Sequence, residues 1–288
     1  MTALPFAPDT TVDAAVDAAP ARGIAWQRWL RWTLVRPILL PLLLAAAWLA
    51  AWQWGVELFP QTRSLLSSPS EIGAILGKSL PFLMPQLAST AREAVMGFAL
   101  AAVIGMALGT AITMSRRLEQ ALFPHLVLFQ IIPKIALAPL FVIWFGVGSE
   151  SRLVFALFLS FFPIAAATAG GLARTRPEAL RLCAALTATP WRTFVSVRVP
   201  FAIPSIFAGL KMGMTMALIG TIVGEFVTGQ QGLGYIIMFA AANADSALTF
   251  AALGLLCLVG LTVYGAVLLA ELVAQRWYGA PFVTEGFN

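Results

Sequence analysis

The stretch EAVMGFALAAVIGMALGTAITM, residues 93–114, decides the fold class. After its first residue it carries no charge, and a helix that crosses the hydrocarbon core of a bilayer needs roughly 20 apolar residues. Apolar stretches of similar length recur along the chain, at residues 37–56, 120–146, 152–172, 202–227 and 249–272. The sequence therefore predicts an all-α, polytopic membrane protein with about six transmembrane helices.

The composition of the whole chain supports a membrane location. Of its 288 residues, 60% are hydrophobic and 11% are charged, whereas a soluble domain has about 45–50% apolar and about 25% charged residues. The net charge of +5 comes from arginines in short loops, and no basic tract with interleaved aromatic residues occurs. This pattern predicts membrane topology signals and a lipid bilayer as partner, and it predicts no nucleic-acid partner.

Residue types that carry catalysis or bind metals are sparse. Cys183 and Cys257 are too few for a disulfide framework, and neither has a second Cys or a His nearby in the sequence. The single His125 lies in an apolar segment. We therefore predict no catalytic residue and no metal site.

The distribution of basic residues predicts the orientation. Four basic residues fall in the predicted external segments: Arg63, Lys78, Arg92 and Arg152. Twelve of the eighteen fall on the opposite side, and these are Arg22, Arg28, Arg31, Arg36, Arg116, Arg117, Arg174, Arg176, Arg181, Arg192, Arg198 and Arg276. Because cytoplasmic loops carry an excess of Lys and Arg, both termini are predicted to be cytoplasmic.

The segments outside the clearest spans give further expectations. We predict a disordered cytoplasmic tail at residues 1–20, a transmembrane domain at 21–278 and a C-terminal tail at 279–288. Prolines and serines in residues 57–90 predict an external loop with a short surface helix. In span 120–146, prolines at 124, 133 and 139 predict a kinked or broken helix. Three glycines in residues 228–247 predict an external loop or a re-entrant element.

The segment 173–201 is the largest polar insertion between spans. Pro177 and Pro190 are each suited to the first position of a helix, and Thr189 is a suitable cap for the second one. This predicts a helix-turn-helix on the membrane surface with exposed apolar and arginine side chains. Periodicity alone leaves two interpretations open: a docking element for a cytoplasmic partner, or an amphipathic loop packed on lipid.

This loop resembles the cytoplasmic loop of binding-protein-dependent ABC importer permeases. The resemblance lies in residues 184–194, AALTATPWRTF, and in Val199-Pro200, Ile203-Pro204 and Ala208-Gly209-Leu210-Lys211. Other segments are similar to the nitrate, sulfonate, taurine and thiamine-precursor branch of these permeases. They are IPKIALAPL at 132–140 with Trp144-Phe145-Gly146, Phe161-Phe162-Pro163, and Gly232-Leu233-Gly234-Tyr235. Together these segments extend the resemblance over about residues 70–278.

The resemblance implies the fold, the function and the partners. The chain would be the transmembrane subunit of an importer in the bacterial inner membrane, forming the translocation pathway for a small solute. It would work with an ABC ATPase, an extracytoplasmic substrate-binding protein and a second permease copy, of which a homodimer is the simpler form. Because the sequence contains no Gly-x-x-x-x-Gly-Lys-Ser/Thr motif, ATP is expected on the partner ATPase, with no cofactor on this chain.

The resemblance also assigns the loop to coupling with the ATPase. The candidate residues are Glu178, Arg181, Ala185, Leu186, Thr187, Pro190 and Trp191. Two of them depart from the family pattern: Arg181 stands where the family has an acidic residue, and Thr187 stands where it has glycine. Three explanations are open: the partner ATPase compensates, Glu178 supplies the acid one turn earlier, or the subunit is poorly coupled.

Two ionisable residues are candidates for the translocation pathway. Lys134 and Glu225 lie in or at the ends of predicted spans, where charge usually faces a cavity or a partner. The alternatives are that Lys134 extends to the interface and that Glu225 is interfacial.

Two other functions compete with the importer hypothesis. An ATP-independent secondary transporter or channel would be expected to show internal repeats and buried acidic clusters. A membrane-embedded enzyme would need clustered His, Asp or Glu. The sequence shows no such repeat or cluster, so the importer remains the favoured interpretation.

Overall fold

The computed structural model describes residues 23–59, 61 and 65–278, with side chains from residue 39 onward. The tails predicted at 1–20 and 279–288 lie outside the described residues. Packing divides the chain into two compact units, with the boundary after residue 60.

The first unit contains one long helix, α1, Gly23–Leu58. Its apolar part, Leu39–Leu58, is long enough to cross a membrane. The span predicted at 37–56 is therefore confirmed. Most large apolar side chains of this part are exposed, among them Leu44 and Trp48, and exposed apolar side chains are compatible with a helix that crosses a bilayer.

The second unit is also helical throughout its regular elements. Its helices are α2 (Pro69–Met114), α3 (Arg116–Ile131), α4 (Ala138–Phe145), α5 (Ser149–Ala173), α6 (Pro177–Ala185), α7 (Pro190–Thr193), α8 (Val199–Thr228), α9 (Leu233–Ala242) and α10 (Ser246–Tyr278). In the described part of the chain, five helices are long and apolar enough to span a membrane, and α3 with α4 makes a sixth span. The predicted all-α class and the number of spans are confirmed.

Helix α2 is longer than the sequence indicated. Ser68 begins it with a capping box, in which the Ser68 side chain accepts from the Glu71 backbone N–H and the Glu71 carboxylate accepts from the Ser68 N–H. The helix then continues through Pro81 and Pro85 for 46 residues. The external loop predicted within 57–90 is therefore wrong from residue 69 onward, and the span predicted at 93–114 is only the second half of this helix.

Tertiary packing explains why the two prolines do not end α2. Each proline removes one backbone donor, but neighbouring helices stabilise such a helix in a membrane protein. Leu83, between the two prolines, is fully buried in a cluster with Leu233 of α9 and Leu255 of α10. At about 1.5 Å per residue, α2 is roughly twice as long as the hydrocarbon core is thick.

The predicted break in the third span is confirmed. Helices α3 and α4 meet at 87°, and a 3₁₀ turn at Lys134–Leu137 joins them. Pro133 has no N–H to continue α3, and it forces Ile132 into an extended conformation. Gly146, with φ of +82°, ends α4.

Helices α5 and α8 form the centre of the second unit, and α2 packs against α5. The contact with α2 is close because Gly105 and Gly109 face α5: a Cβ on Gly109 would lie 2.7 Å from the Ala165 carbonyl oxygen. The small residues at 105 and 109 therefore allow close packing of α2 on α5.

Candidate functional site

The loop at 173–201 contains the predicted pair of helices. Pro177 is at the start of α6 with Glu178 in its first turn, and Pro190 begins α7. The Thr189 hydroxyl accepts a hydrogen bond of 3.3 Å from the Arg192 N–H, so Thr189 caps α7 as predicted. The two predicted helices are confirmed, and their position on the membrane surface stays a prediction.

The second helix of the loop is continuous with the next span, which was not predicted. Helix α7 passes into a π-helical turn at Phe194–Arg198, in which the Val199 N–H donates to the Phe194 carbonyl. This turn leads directly into α8. The backbone is therefore helical from Pro190 to Thr228.

Apolar side chains of this loop are strongly exposed. Leu182, Leu186 and Trp191 are 61%, 70% and 70% exposed, and Ala185, Thr187 and Pro190 are exposed beside them. The Trp191 ring stacks on Phe194, with centroids 5.9 Å apart. Exposed apolar groups within a polar, arginine-rich segment are typical of an interaction surface.

Glu178 and Arg181 do not pair with each other. Both are exposed, and no ion pair joins them, although a spacing of three residues on a helix makes them neighbours. Both charges are therefore available to a partner.

Thr187 occupies a backbone conformation that favours glycine. The Ala188 N–H donates to the Cys183 carbonyl and the Thr187 N–H to the Ala184 carbonyl, which together form a Schellman motif at the end of α6. Thr187 is the left-handed residue of this motif, with φ of +51°. A β-branched residue is strained there, so the geometry gives a physical reason for the glycine that the family has at this place.

We expect Thr187→Gly to stabilise the end of α6. Relief of the left-handed strain, about 1–2 kcal/mol, exceeds the extra chain entropy of glycine, about 0.5–1 kcal/mol. Hydrogen exchange should therefore slow at the amides of residues 187 and 188. Ala244→Gly is the matched control, since Ala244 has φ of +56° in the same kind of turn after α9: it should slow exchange at 244 and 245 only. Unchanged or faster exchange at 187 and 188 would contradict the strain.

Of the two pathway candidates, Lys134 lies at the break between α3 and α4. It is half-buried, and its Nζ lies 5.4 Å from the centroid of the Phe162 ring of α5. This is a cation–π distance. Non-helical backbone at a break in a span is tolerated where it is buried in protein or lines a water-filled cavity. The break is therefore compatible with a cavity beside Lys134, and the role of Lys134 in the pathway stays a prediction.

Glu225, the second candidate, is fully buried. Its Oε1 accepts a 2.7 Å hydrogen bond from the Thr90 hydroxyl, and its Oε2 accepts a 2.6 Å bond from the Gly234 N–H. Glu225 is therefore enclosed by protein, and its placement at the level of the membrane interface stays a prediction. The contacts give Glu225 a structural role, and a role in the pathway stays a prediction.

Side chains from α2 also hold the start of α9. The Gly232 N–H donates to Gln86 Oε1 at 2.6 Å, and the Leu233 N–H donates to the Thr90 hydroxyl at 2.8 Å. Together with the bond to Glu225, these contacts satisfy backbone donors at the N-terminus of α9. The element predicted as a loop or re-entrant segment is thus a short helix fixed by three polar side chains.

A buried ion pair joins α2 to α5 close to this region. Arg152 donates through Nε to Glu93 Oε2 at 2.8 Å and through Nη2 to Oε1 at 2.6 Å, and the side chains are 0% and 6% exposed. Arg152 Nη1 also donates to the Thr228 hydroxyl of α8 at 3.2 Å. Arg152 is therefore not the external loop charge that the topology prediction counted.

A second ion pair lies between α8 and α10. Lys211 Nζ is 2.5 Å from Glu271 Oε2, and both side chains are largely buried. The sequence placed Lys211 in or beside a span without a partner. Charges within spans almost always pair, and this rule could have indicated Glu271 as the partner of Lys211 from the sequence.

No cluster of His, Cys, Asp and Glu suited to a metal occurs among the residues that the structure describes.

Comparison with known proteins identifies the family. Residues 101–277 match the family model for binding-protein-dependent transport system inner membrane components. The chain belongs to this family. It is therefore the membrane-spanning subunit of an ATP-driven ABC importer for a small solute, which confirms what the loop resemblance implied. It is not an enzyme, because the ATPase of this family is a separate chain. In this family ATPase and substrate-binding protein are separate partners, and the permease is a multi-pass protein of the inner membrane.

Individual relatives place this permease in the expected branch. It is 35% identical to the riboflavin transport system permease RibX of Chloroflexus aurantiacus, over 80% of this chain and 86% of that protein. It is 35% identical to the formylaminopyrimidine transport permease ThiX of Halalkalibacterium halodurans, over 74% and 86% of the two chains. Taurine, sulfonate and nitrate permeases also match. The predicted branch is confirmed.

The fold of this permease has a solved counterpart. A chain of the inward-facing MetNI methionine ABC transporter aligns with a TM-score of 0.60 and 17% identity, covering 68% of this chain and 98% of that one. The family membership excludes the competing interpretations as a secondary transporter or a membrane enzyme.

Proposed function

We propose that the ATPase docks on the exposed apolar surface formed by Leu182, Leu186 and Trp191, which we call the docking surface. The observation that supports this most directly is the exposure of Leu186 and Trp191, each 70%, in a segment rich in arginine. Large exposed apolar side chains with a polar surround are typical of protein interfaces. Glu178, Arg181, Ala185, Thr187 and Pro190 would form its border.

The continuous helix that follows this surface suggests how force is transmitted. Because the backbone is helical from Pro190 to Thr228, a displacement of Trp191 would be passed along α8 into the membrane. Closure of the ATPase upon binding ATP would then tilt α8 with α5, which packs against it. This is alternating access by movement of rigid bodies.

The remaining parts of the proposal follow the family arrangement. Both termini would be cytoplasmic, as the arginine distribution predicts. Two copies of the permease would enclose the pathway, with Lys134 at the broken span among its lining residues. A binding protein would deliver the solute, and ATP would be bound only by the ATPase.

Arg181 sets a requirement on the ATPase. The loop carries five arginines and one glutamate: Arg174, Arg176, Arg181, Arg192, Arg198 and Glu178. Since Arg181 has no carboxylate partner in the described structure, we infer that the ATPase surface opposite it is acidic. Compensation by the partner is thus favoured over poor coupling.

The docking surface is tested by Trp191→Glu and Leu186→Glu in the complete transporter. Each change places a charge in an apolar contact, so we expect at least a tenfold loss of ATP-driven uptake and of co-purified ATPase, with normal insertion of the permease. Arg181→Glu should weaken ATPase binding as well, and an Asp/Glu→Lys change on the ATPase should restore it.

The control for this test is Leu118→Glu. Leu118 is an exposed leucine in the first turn of α3, on the same predicted side of the membrane but outside the loop. It should leave uptake and co-purification unchanged. Normal ATPase binding and uptake with Trp191→Glu and Leu186→Glu would refute the assignment.

A further inference from the structure

A cavity of about 550 Å³ lies at the end of the bundle where α5 begins. It is bounded by α2, by the first turn of α5 and by the turn before α9. Its polar lining consists of Ser89, Arg92, Glu93, Ser149, Glu150 and Gln231. Its volume is within the range of about 300–1,000 Å³ that is typical of small-molecule sites.

The charges around this cavity are not equally available. Glu93 is already neutralised, because both of its oxygens accept from Arg152. Glu150 lies in the first turn of α5, where the partial positive charge of the helix N-terminus favours a carboxylate. Arg92 and Glu150 are both exposed, and neither has an ion-pair partner in the part of the chain that the structure describes. Arg92 is the cationic side chain of the cavity lining that a solute anion can reach.

Arg92 is well placed to recognise an anion. Arg92 follows Ser89 by three residues on α2, so the guanidinium and the hydroxyl lie on one face of the helix. A guanidinium binds a carboxylate or sulfonate through two parallel hydrogen bonds. The Ser89 hydroxyl and the Gln231 amide can donate to or accept from the rest of a small molecule.

We propose that this cavity binds the transported solute during its passage, through an anionic group held by Arg92. The solute class is a small organic carboxylate or sulfonate with further hydrogen-bonding groups. This inference rests on the proposed function, since it assigns a solute site to the permease itself. The buried Glu93–Arg152 pair fixes the wall from which Arg92 projects.

Labelling of a cysteine in the cavity tests the proposal without knowledge of the natural solute. In the complete transporter with Cys183→Ala and Cys257→Ala, Ser89→Cys is reacted with the neutral reagent N-ethylmaleimide. Ethanesulfonate is added as the anionic probe and tetramethylammonium as the cationic probe, at equal ionic strength. We expect ethanesulfonate to slow labelling several-fold and saturably, tetramethylammonium to have no effect, and Arg92→Gln to abolish the protection.

Ala74→Cys supplies the control. Ala74 is exposed on α2 outside the cavity, between Glu71 and Lys78, and its labelling should not respond to either probe. Absence of protection at residue 89, or equal protection with Arg92→Gln, would overturn the proposal. Since labelling requires no ATP hydrolysis, this failure is distinct from a failure of the docking surface, which would appear as normal ATPase binding by Trp191→Glu.

Discussion

Gly232→Ala is expected to destabilise the permease by about 3 kcal/mol or more and to abolish uptake. A Cβ at residue 232 would overlap the carboxylate of Glu225. That side chain cannot move without losing its bonds to Thr90 and Gly234, and leaving the buried Gly234 N–H without its acceptor costs about 1–3 kcal/mol. The φ of +103° and ψ of 168° at Gly232 are also almost restricted to glycine.

The measurement is the thermal unfolding midpoint of the purified transporter, together with the amount of folded permease in the membrane. Gly229→Ala is the matched control. Gly229 also has a positive φ, +59°, but no atom lies within 4 Å of a Cβ built there. It should therefore cost only the strain of a left-handed residue, about 1–2 kcal/mol. Equal effects of the two changes would show that the Glu225 contact is not the cause.

A double variant isolates the steric contact further. Glu225→Ala alone should destabilise, because the buried Gly234 N–H loses its acceptor and the Thr90 hydroxyl keeps only the Gln86 carbonyl. Combined with Gly232→Ala, it removes the atoms that the new methyl group would overlap. The two changes together should therefore cost clearly less than the sum of the single effects. Additive effects would contradict the predicted overlap.

Arg152→Met is the second change with a large expected effect. It leaves the Glu93 carboxylate buried without its partner, and breaking a buried pair in this way costs about 3–5 kcal/mol. We expect a marked drop in the unfolding midpoint and loss of folded protein from the membrane. Glu93→Leu should have an effect of similar size for the same reason.

Replacing both residues shows whether the single variant is unstable because a buried charge has lost its partner or because the ion pair itself contributes to stability. Replacing a buried pair by apolar residues of similar volume is often neutral, so Glu93→Leu with Arg152→Met should recover most of the stability lost by Arg152→Met alone. Arg92→Met is the neighbouring control: this exposed arginine should change stability by less than about 0.5 kcal/mol. A double variant as unstable as the single one would indicate that Arg152 acts through other contacts.

The features that the sequence predicted correctly depend on local signals. Pro177, Thr189 and Pro190 each favour a helix start by their own geometry, and helices begin where these residues indicate. The break at Pro133 follows in the same way from a missing donor. Apolar length alone predicted the spans, because lipid imposes a minimum length on each of them.

The features that were missed depend on contacts between distant parts of the chain. Thr90 and Glu225 are 135 positions apart, and Glu93 and Arg152 are 59 apart. No local sequence pattern indicates such pairs. The opposite charges of Glu93 and Arg152, at the ends of two predicted spans, could nevertheless have indicated an ion pair. The continuity of α2 through Pro81 and Pro85 was missed for the same reason, since the packing that stabilises it comes from α9 and α10.

The π-helical turn at Phe194–Arg198 fixes the direction in which Trp191 points relative to α8. An α-helix advances about 100° per residue, and a π turn accommodates one additional residue within a single turn. The turn therefore sets an angular offset between the two ends of one continuous helix. Removal of one residue from this turn would leave a regular α-helix, with the Trp191 side chain rotated by roughly 100° about the helix axis relative to α8. The direction in which Trp191 projects from the loop is thus determined by the number of residues in this turn, and not by their identity.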